Sequence, residues 1–171
     1  MARKERVQKT NAMRELERGG VAYTVVTYDA TNEDLSTGVG VRISEMLGED
    51  PDSAFKTLVT NTPSGGHVTC CIPVAEELDL KKAAAAAGEK TLQMMHVRDL
   101  EPTTGYVRGG CTPVGMKKQF PTLIDETAQL FDEISISGGR RGLSLTVNPE
   151  ELAHFLDATF ADIVRDDPAG L

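Results

Sequence analysis

Phe55-Lys56-Thr57-Leu58-Val59-Thr60-Asn61-Thr62-Pro63-Ser64-Gly65-Gly66-His67-Val68-Thr69-Cys70-Cys71-Ile72-Pro73-Val74 is the stretch on which the fold turns. Residues 55–60 and 67–74 are apolar runs with many β-branched side chains, which suit a pleated surface packed on at least one side. Between them stand turn formers, so the whole stretch predicts a β-hairpin. Period-two alternation puts Lys56 on one face with Leu58 and Thr60. A lysine there is either solvated on an open face, or held at the rim of a pocket to meet a carbonyl or phosphate oxygen. The strand alone allows both.

Upstream of the hairpin, Thr10 or Asn11 caps a helix that carries Met13 and Leu16 on one face and stops at Gly19-Gly20. Val21 to Tyr28 predicts a strand. Ser36 or Thr37 caps a second helix with Val39, Ile43, Met46 and Leu47 toward the core, ended by Gly48 and Pro51. Downstream, Asp79 caps a helix over residues 80–87 whose alanine run offers a small-residue packing face, with Gly88 as its stop. Residues 101–115 are dense in Gly, Pro and Thr and predict a loop with functional weight. Ile134 to Ser137 and Leu143 to Val147 are short strands flanking a Gly138–Gly142 turn. Pro149 opens a last helix whose buried stripe is Leu152, Phe155, Leu156 and Phe160. Strands and helices mix without regular βαβ alternation, so the class is α+β, a mixed sheet curled around a core. At 171 residues the chain supports one core, hence one domain over 1–171.

Composition narrows the function. The three cysteines are odd in number and two are adjacent, so they outline no disulfide framework and fit a reducing compartment. No CxxC pair occurs, and His67, His96 and His154 are scattered, so no metal and no cofactor is expected. No apolar run approaches the roughly 20 residues that span a bilayer, and the basic start lacks a secretory h-region, so the expected location is the cytoplasm and no membrane partner is expected. A net charge of -8 opposes a polyanionic partner, yet the basic pairs Lys81-Lys82, Lys117-Lys118 and Arg140-Arg141 offer a local basic face if folding gathers them.

Several residues invite a chemical role. Paired glycines in Gly109-Gly110-Cys111-Thr112-Pro113-Val114-Gly115 let a ligand approach the main chain, or simply make a tight turn. Cys111 has the look of a nucleophile, but no spacing supplies it with a base. Ser137 precedes a Gly-Gly turn, where its hydroxyl either bonds a ligand or satisfies the turn itself. Tyr28 ends a strand and either stacks on a base or acyl group or packs in the core.

These signals gain weight together. Lys9-Thr10-Asn11-Ala12-Met13-Arg14, Phe55-Lys56-Thr57-Leu58-Val59, Glu77-Leu78-Asp79-Leu80-Lys81-Lys82, the long block from Thr104 through Gly109-Gly110-Cys111 to Lys118, and Ser137-Gly138-Gly139-Arg140-Arg141-Gly142-Leu143 follow one another in order. With these blocks the chain resembles the YbaK/EbsC family of aminoacyl-tRNA deacylases over nearly its whole length, and the long block looks most like the Cys-tRNA(Pro) deacylase branch. The resemblance implies a mixed, partly barrel-like sheet surrounded by helices. It implies an essential lysine, here Lys56, acting with Gly109 and Ser137, and a substrate pocket that includes Tyr28, Thr57, Gly110, Gly138 and Ser144. Ser144 stands where the family pattern leads one to expect aspartate or glutamine. The implied activity is trans-editing hydrolysis of mischarged tRNA(Pro), with the thiol of the attached cysteine as nucleophile and prolyl-tRNA synthetase as a partner. Alternatives are a deacylase for another misacylated tRNA, such as Ala-tRNA(Pro), and a non-catalytic module that binds tRNA or a synthetase.

Overall fold

In the computed structural model, residues 7–29, 43, 45 and 47–166 are described. Helix α1 (Asn11–Arg18) starts where the Thr10 hydroxyl accepts from the Met13 amide, buries Ala12, Met13 and Leu16, and ends at Gly19. Strand β1 (Tyr23–Thr27) follows. The hairpin forms as its sequence dictates: β2 (Phe55–Asn61) pairs antiparallel with β3 (His67–Pro73), from Phe55 opposite Pro73 to Asn61 opposite His67. The turn is closed by Thr62, whose amide donates to Gly66 O and whose hydroxyl accepts from the Gly66 amide, both at 2.9 Å.

Helix α2 (Leu80–Ala87) is capped by Asp79, whose carboxylate accepts from the Lys81 and Lys82 amides, and stopped by Gly88 in a left-handed conformation. A two-residue strand β4 (Gln93–Met94) and helix α3 (Val97–Thr104) come next. Strand β5 (Thr122–Asp125), strands β6 (Ile134–Ser137) and β7 (Leu143–Val147), helix α4 (Pro149–Leu156) and strand β8 (Thr159–Ala161) complete the order.

The strands form two sheets, one in the order β1-β7-β6 and one in the order β4-β2-β3-β5-β8. The larger is mixed, since β3, β5 and β8 run parallel while β2 is antiparallel to both β3 and β4. A parallel bridge from Ala54 to Ser135 sets β2 beside β6 and joins the sheets into one curled surface, which among the described residues does not close into a barrel. The main core, with Phe55, Cys71, Ile124, Ile136 and Leu145, fills the concave side together with Met13 and Leu16 of α1 and Leu152 of α4. On the opposite side of the large sheet, Ala83 and Ala84 of α2 lie against Val68, Cys70, Ile72 and Leu123, the close approach that small residues permit. Lys82 fastens that helix down, its ammonium 3.0 Å from the carboxylates of both Asp162 and Asp166 and 2.9 Å from Val164 O.

Some expectations need correction. Residues 101–104 belong to the last turn of α3 and are not loop: Pro102 lies inside that helix, the Thr104 hydroxyl back-bonds to Leu100 O at 2.8 Å, and Gly105 supplies the left-handed stop. Phe160 is in β8, because Asp157 at φ 53 ends α4 three residues earlier. Strands β4, β5 and β8 went unpredicted. Residues 122–125 are buried throughout and carry no alternation to read, and the other two are too short to show one. The helix expected from Ser36 to Leu47 lies largely outside the described residues.

Candidate active site

The seam between the two sheets brings several of the nominated residues together. Two residues beyond the Ala54–Ser135 bridge stand Lys56 on β2 and Ser137 on β6, which in a parallel register present their side chains to the same face. Ser144 on β7 is opposite Ser137 on one side and Val26 of β1 on the other. The Tyr28 amide donates to Gly142 O at 2.9 Å and carries the β1–β7 ladder one residue further, so Tyr28 shares the face of Val26. Lys56, Ser137, Ser144 and Tyr28 therefore lie on the face turned away from the core that holds Phe55, Ile136 and Leu145. Thr57 faces the other way by the same alternation, with its hydroxyl 3.8 Å from Cys71 Sγ, so its side chain does not join the group.

The glycine turns stack on each other. A Cβ at Gly110 would lie 2.8 Å from Arg140 Cα, a distance that admits no side chain, so the 109–110 turn sits directly on the backbone of the 138–142 turn. The Arg141 guanidinium donates to Arg108 O at 2.9 Å and ties the two together. Gly109 is exposed, with φ +88, whereas Gly110 is buried and its amide donates to Val107 O at 2.9 Å. Of the pair, Gly109 is the one able to offer an amide to a ligand. The backbone of Gly138 is spent within the protein: its amide donates to Leu143 O at 2.8 Å, and its carbonyl accepts from the Thr10 hydroxyl at 2.6 Å. Ser137 Oγ accepts a long bond from the Gly139 amide, 3.3 Å, and keeps its own proton to donate.

Lys56 has no hydrogen bond or ion pair among the described residues. Its half-burial holds its pKa below the ordinary lysine range, and the carboxylates of Glu77 and Glu76 partly oppose that shift. The thiols are chemically quiet. Cys70, Cys71 and Cys111 are buried, and loss of hydration pushes each up to about 12, far from a thiolate at neutral pH. Cys111 instead packs with Val59 and Tyr106 beneath the loop.

Sequence reasoning nominated Ser144 but missed three polar groups, Ser135, Glu49 and Thr112. Ser144 is buried, with its Oγ 2.6 Å from Ser135 Oγ and 3.2 Å from Ile136 O. The carboxylate of Glu49 is half-buried, and burial raises its pKa, a rise that Ser135 opposes. The Ile134-Ser135-Ile136-Ser137 alternation contained the signal for Ser135, which shares a face with Ser137. Glu49, in the segment before β2, left no comparable sign. The third group is Thr112, in the loop after Gly110, whose buried hydroxyl has no partner among the described residues. A separate cleft of about 760 Å³ lies between α1, Phe155 and residues 104–119, lined by Arg18, Tyr106 and Lys117 among others, and contains none of the nominated residues.

The chain belongs to a class of aminoacyl-tRNA editing domains. A family model described as the aminoacyl-tRNA editing domain matches residues 41–155, and the chain is a member of that family. Among individual relatives, it is 45% identical over 167 residues, 98% of this chain and 100% of the other, to EbsC of Enterococcus faecalis, provisionally named a Cys-tRNA(Pro)/Cys-tRNA(Cys) deacylase. The resemblance carried by the five sequence blocks thus extends along the chain. Two solved structures share the fold. One, provisionally described as a trans-editing enzyme for prolyl-tRNA synthetase, aligns with a TM-score of 0.78 at 24% identity over 91% of this chain and 96% of that one. The other, the hypothetical protein APE2540, aligns with a TM-score of 0.81 at 20% identity over 91% and 100%.

Proposed function

We propose that this protein is a cytoplasmic trans-editing deacylase that hydrolyses Cys-tRNA(Pro), with the substrate's own thiol as nucleophile. The observation that carries this reading is the shared face of Lys56, Ser137 and Tyr28 beside the exposed Gly109 turn, in a chain whose own thiols are all held protonated. Such a site orients an ester and stabilises developing charge without an enzyme nucleophile. In the first step the cysteinyl sulfur attacks the ester carbonyl carbon. The new C–S bond closes a cyclic thioester, the C–O bond to the terminal ribose breaks, and the ribose oxygen takes up the proton lost by the thiol. Water later opens the thioester. Lys56 attracts the carbonyl oxygen or the neighbouring phosphate, the Gly109 amide and the Ser137 hydroxyl donate to developing negative charge, and Tyr28 flanks the acyl group or the terminal base.

The basic residues around the stacked turns, Arg108, Arg140 and Arg141, support an approach by the tRNA end from that side. Delivery by prolyl-tRNA synthetase is part of the proposal, because an acidic protein holds tRNA weakly by itself. The test is hydrolysis of Cys-tRNA(Pro), Ser-tRNA(Pro) and Ala-tRNA(Pro) by the wild type and by Cys111→Ala. Substrate assistance requires rapid loss of cysteine, much slower loss of serine, whose hydroxyl ionises far less than a thiol of pKa about 8.5, and substantial activity in Cys111→Ala. An inactive but folded Cys111→Ala protein would overturn this mechanism, and faster removal of alanine than of cysteine would overturn the substrate.

A further inference from the structure

We infer that Thr10 is a positioning residue for Ser137: its hydroxyl holds the peptide between Gly138 and Gly139 in the orientation that leaves the Ser137 proton to the substrate. The inference rests on the deacylase reading above. The Thr10 hydroxyl donates to Gly138 O at 2.6 Å, the carbonyl end of that peptide unit, and the amide at its other end, Gly139 N, donates to Ser137 Oγ at 3.3 Å. A peptide unit is planar, so gripping its oxygen fixes where its N–H points. With a lone pair of Ser137 engaged by that N–H, the hydroxyl proton is turned outward.

The grip matters because glycine stands on both sides of this peptide. No Cβ resists its rotation, and half a turn would bring the Gly138 carbonyl to where the Gly139 amide now stands. Ser137 would then donate into its own turn and have no proton for charge developing on the ester. The surroundings support the observed orientation. A Cβ at Gly139 would lie 3.2 Å from Tyr106 Cε1 and 3.3 Å from Thr10 Cβ, so both side chains border that corner, and the Tyr106 hydroxyl is itself anchored by donating to Val114 O at 2.6 Å. Thr10 has a second duty, since its oxygen accepts from the Met13 amide at 3.3 Å and caps α1. The two duties use different halves of one hydroxyl, the proton for the turn and a lone pair for the helix, so substitution can separate them.

The experiment measures hydrolysis of Cys-tRNA(Pro) by the full-length protein. Aspartate caps helices well but, when ionised, only accepts, so Thr10→Asp keeps the cap and cannot donate to Gly138 O, whereas Thr10→Ser keeps both halves of the hydroxyl. We expect kcat to fall roughly tenfold in Thr10→Asp, about the worth of one hydrogen bond, with KM nearly unchanged, and Thr10→Ser to stay close to the wild type. A role confined to the helix cap predicts no such split. Ser137→Ala, expected to lose roughly a hundredfold, supplies the second axis of a double-mutant cycle. Because Thr10 acts through Ser137, adding Thr10→Asp to Ser137→Ala should change kcat by less than about twofold. Should Thr10→Asp fail to fold, Thr10→Ala goes through the same cycle. A folded Thr10→Asp protein with the wild-type kcat, a Thr10→Ser protein as slow as Thr10→Asp, or an equal further loss in the Ser137→Ala background overturns this inference alone. A wild type that leaves Cys-tRNA(Pro) intact, or a fully active Ser137→Ala protein, overturns the reading of the site and this inference with it.

Discussion

Lys56 is costly to the fold where it stands. Burial lowers its pKa, so at neutral pH the folded protein holds a charge that the unfolded chain solvates better, and this penalty fades only as pH rises through the folded pKa toward the ordinary lysine value of about 10.4. Lys56→Ala should therefore leave the thermal midpoint unchanged or raised while deacylation falls by roughly a hundredfold or more, the loss expected when a charge-stabilising group is removed. Melting curves and turnover of Cys-tRNA(Pro) check both halves, and near-normal turnover by the folded variant would remove Lys56 from the site. Alternation in residues 55–60 was enough to place this side chain away from Phe55. It was not enough to show which residues share its face, because Ser137, Ser144 and Tyr28 arrive from other strands through pairings that no local pattern encodes.

At the scale of elements, the site depends on two turns pressed together. Gly110→Ala puts a methyl group 2.8 Å from a backbone carbon of Arg140, and a backbone cannot rotate aside as a side chain can, so the turns must part. We expect a stability loss of about 1–3 kcal/mol, as for other overpacked positions, together with a fall in kcat/KM. Gly65→Ala is the control. That glycine has φ +88 with nothing within 4 Å of the added Cβ, so the change costs roughly 1–2 kcal/mol of backbone strain and leaves kcat/KM unaltered. Denaturant midpoints and initial rates separate the two variants. The turn formers at 61–66 and 138–142 were readable because glycine and proline punctuate the chain wherever they fall. Their stacking was not, since a close backbone approach shows in sequence only as one more glycine. The last turn of α3 was misread for a related reason: Pro102 and Gly105 suggested loop, whereas the helix tolerates the first and stops at the second.

For the whole molecule, the question is how an acidic protein meets a nucleic acid. Folding does not gather all the basic pairs. Lys82 is consumed by Asp162 and Asp166, while Arg140 and Arg141 are brought to Arg108 beside the Gly109 turn. A footprint of about three phosphates on a single-stranded tRNA end gives log affinity against log salt a slope near -2. Binding measured across a salt series tests this, and tight binding that ignores salt would contradict it. The strand order has one more consequence, for synthesis. Tyr23 can pair only once Val147 has been made, and Val26 waits for Ser144. At about 5–20 residues per second, β1 trails from the ribosome without its partner for roughly 6–25 s. A chain released after Lys56 and before Ser137 has been made has Tyr28 and Lys56 but neither Ser137 nor Ser144, so such truncated products carry only half of the candidate site.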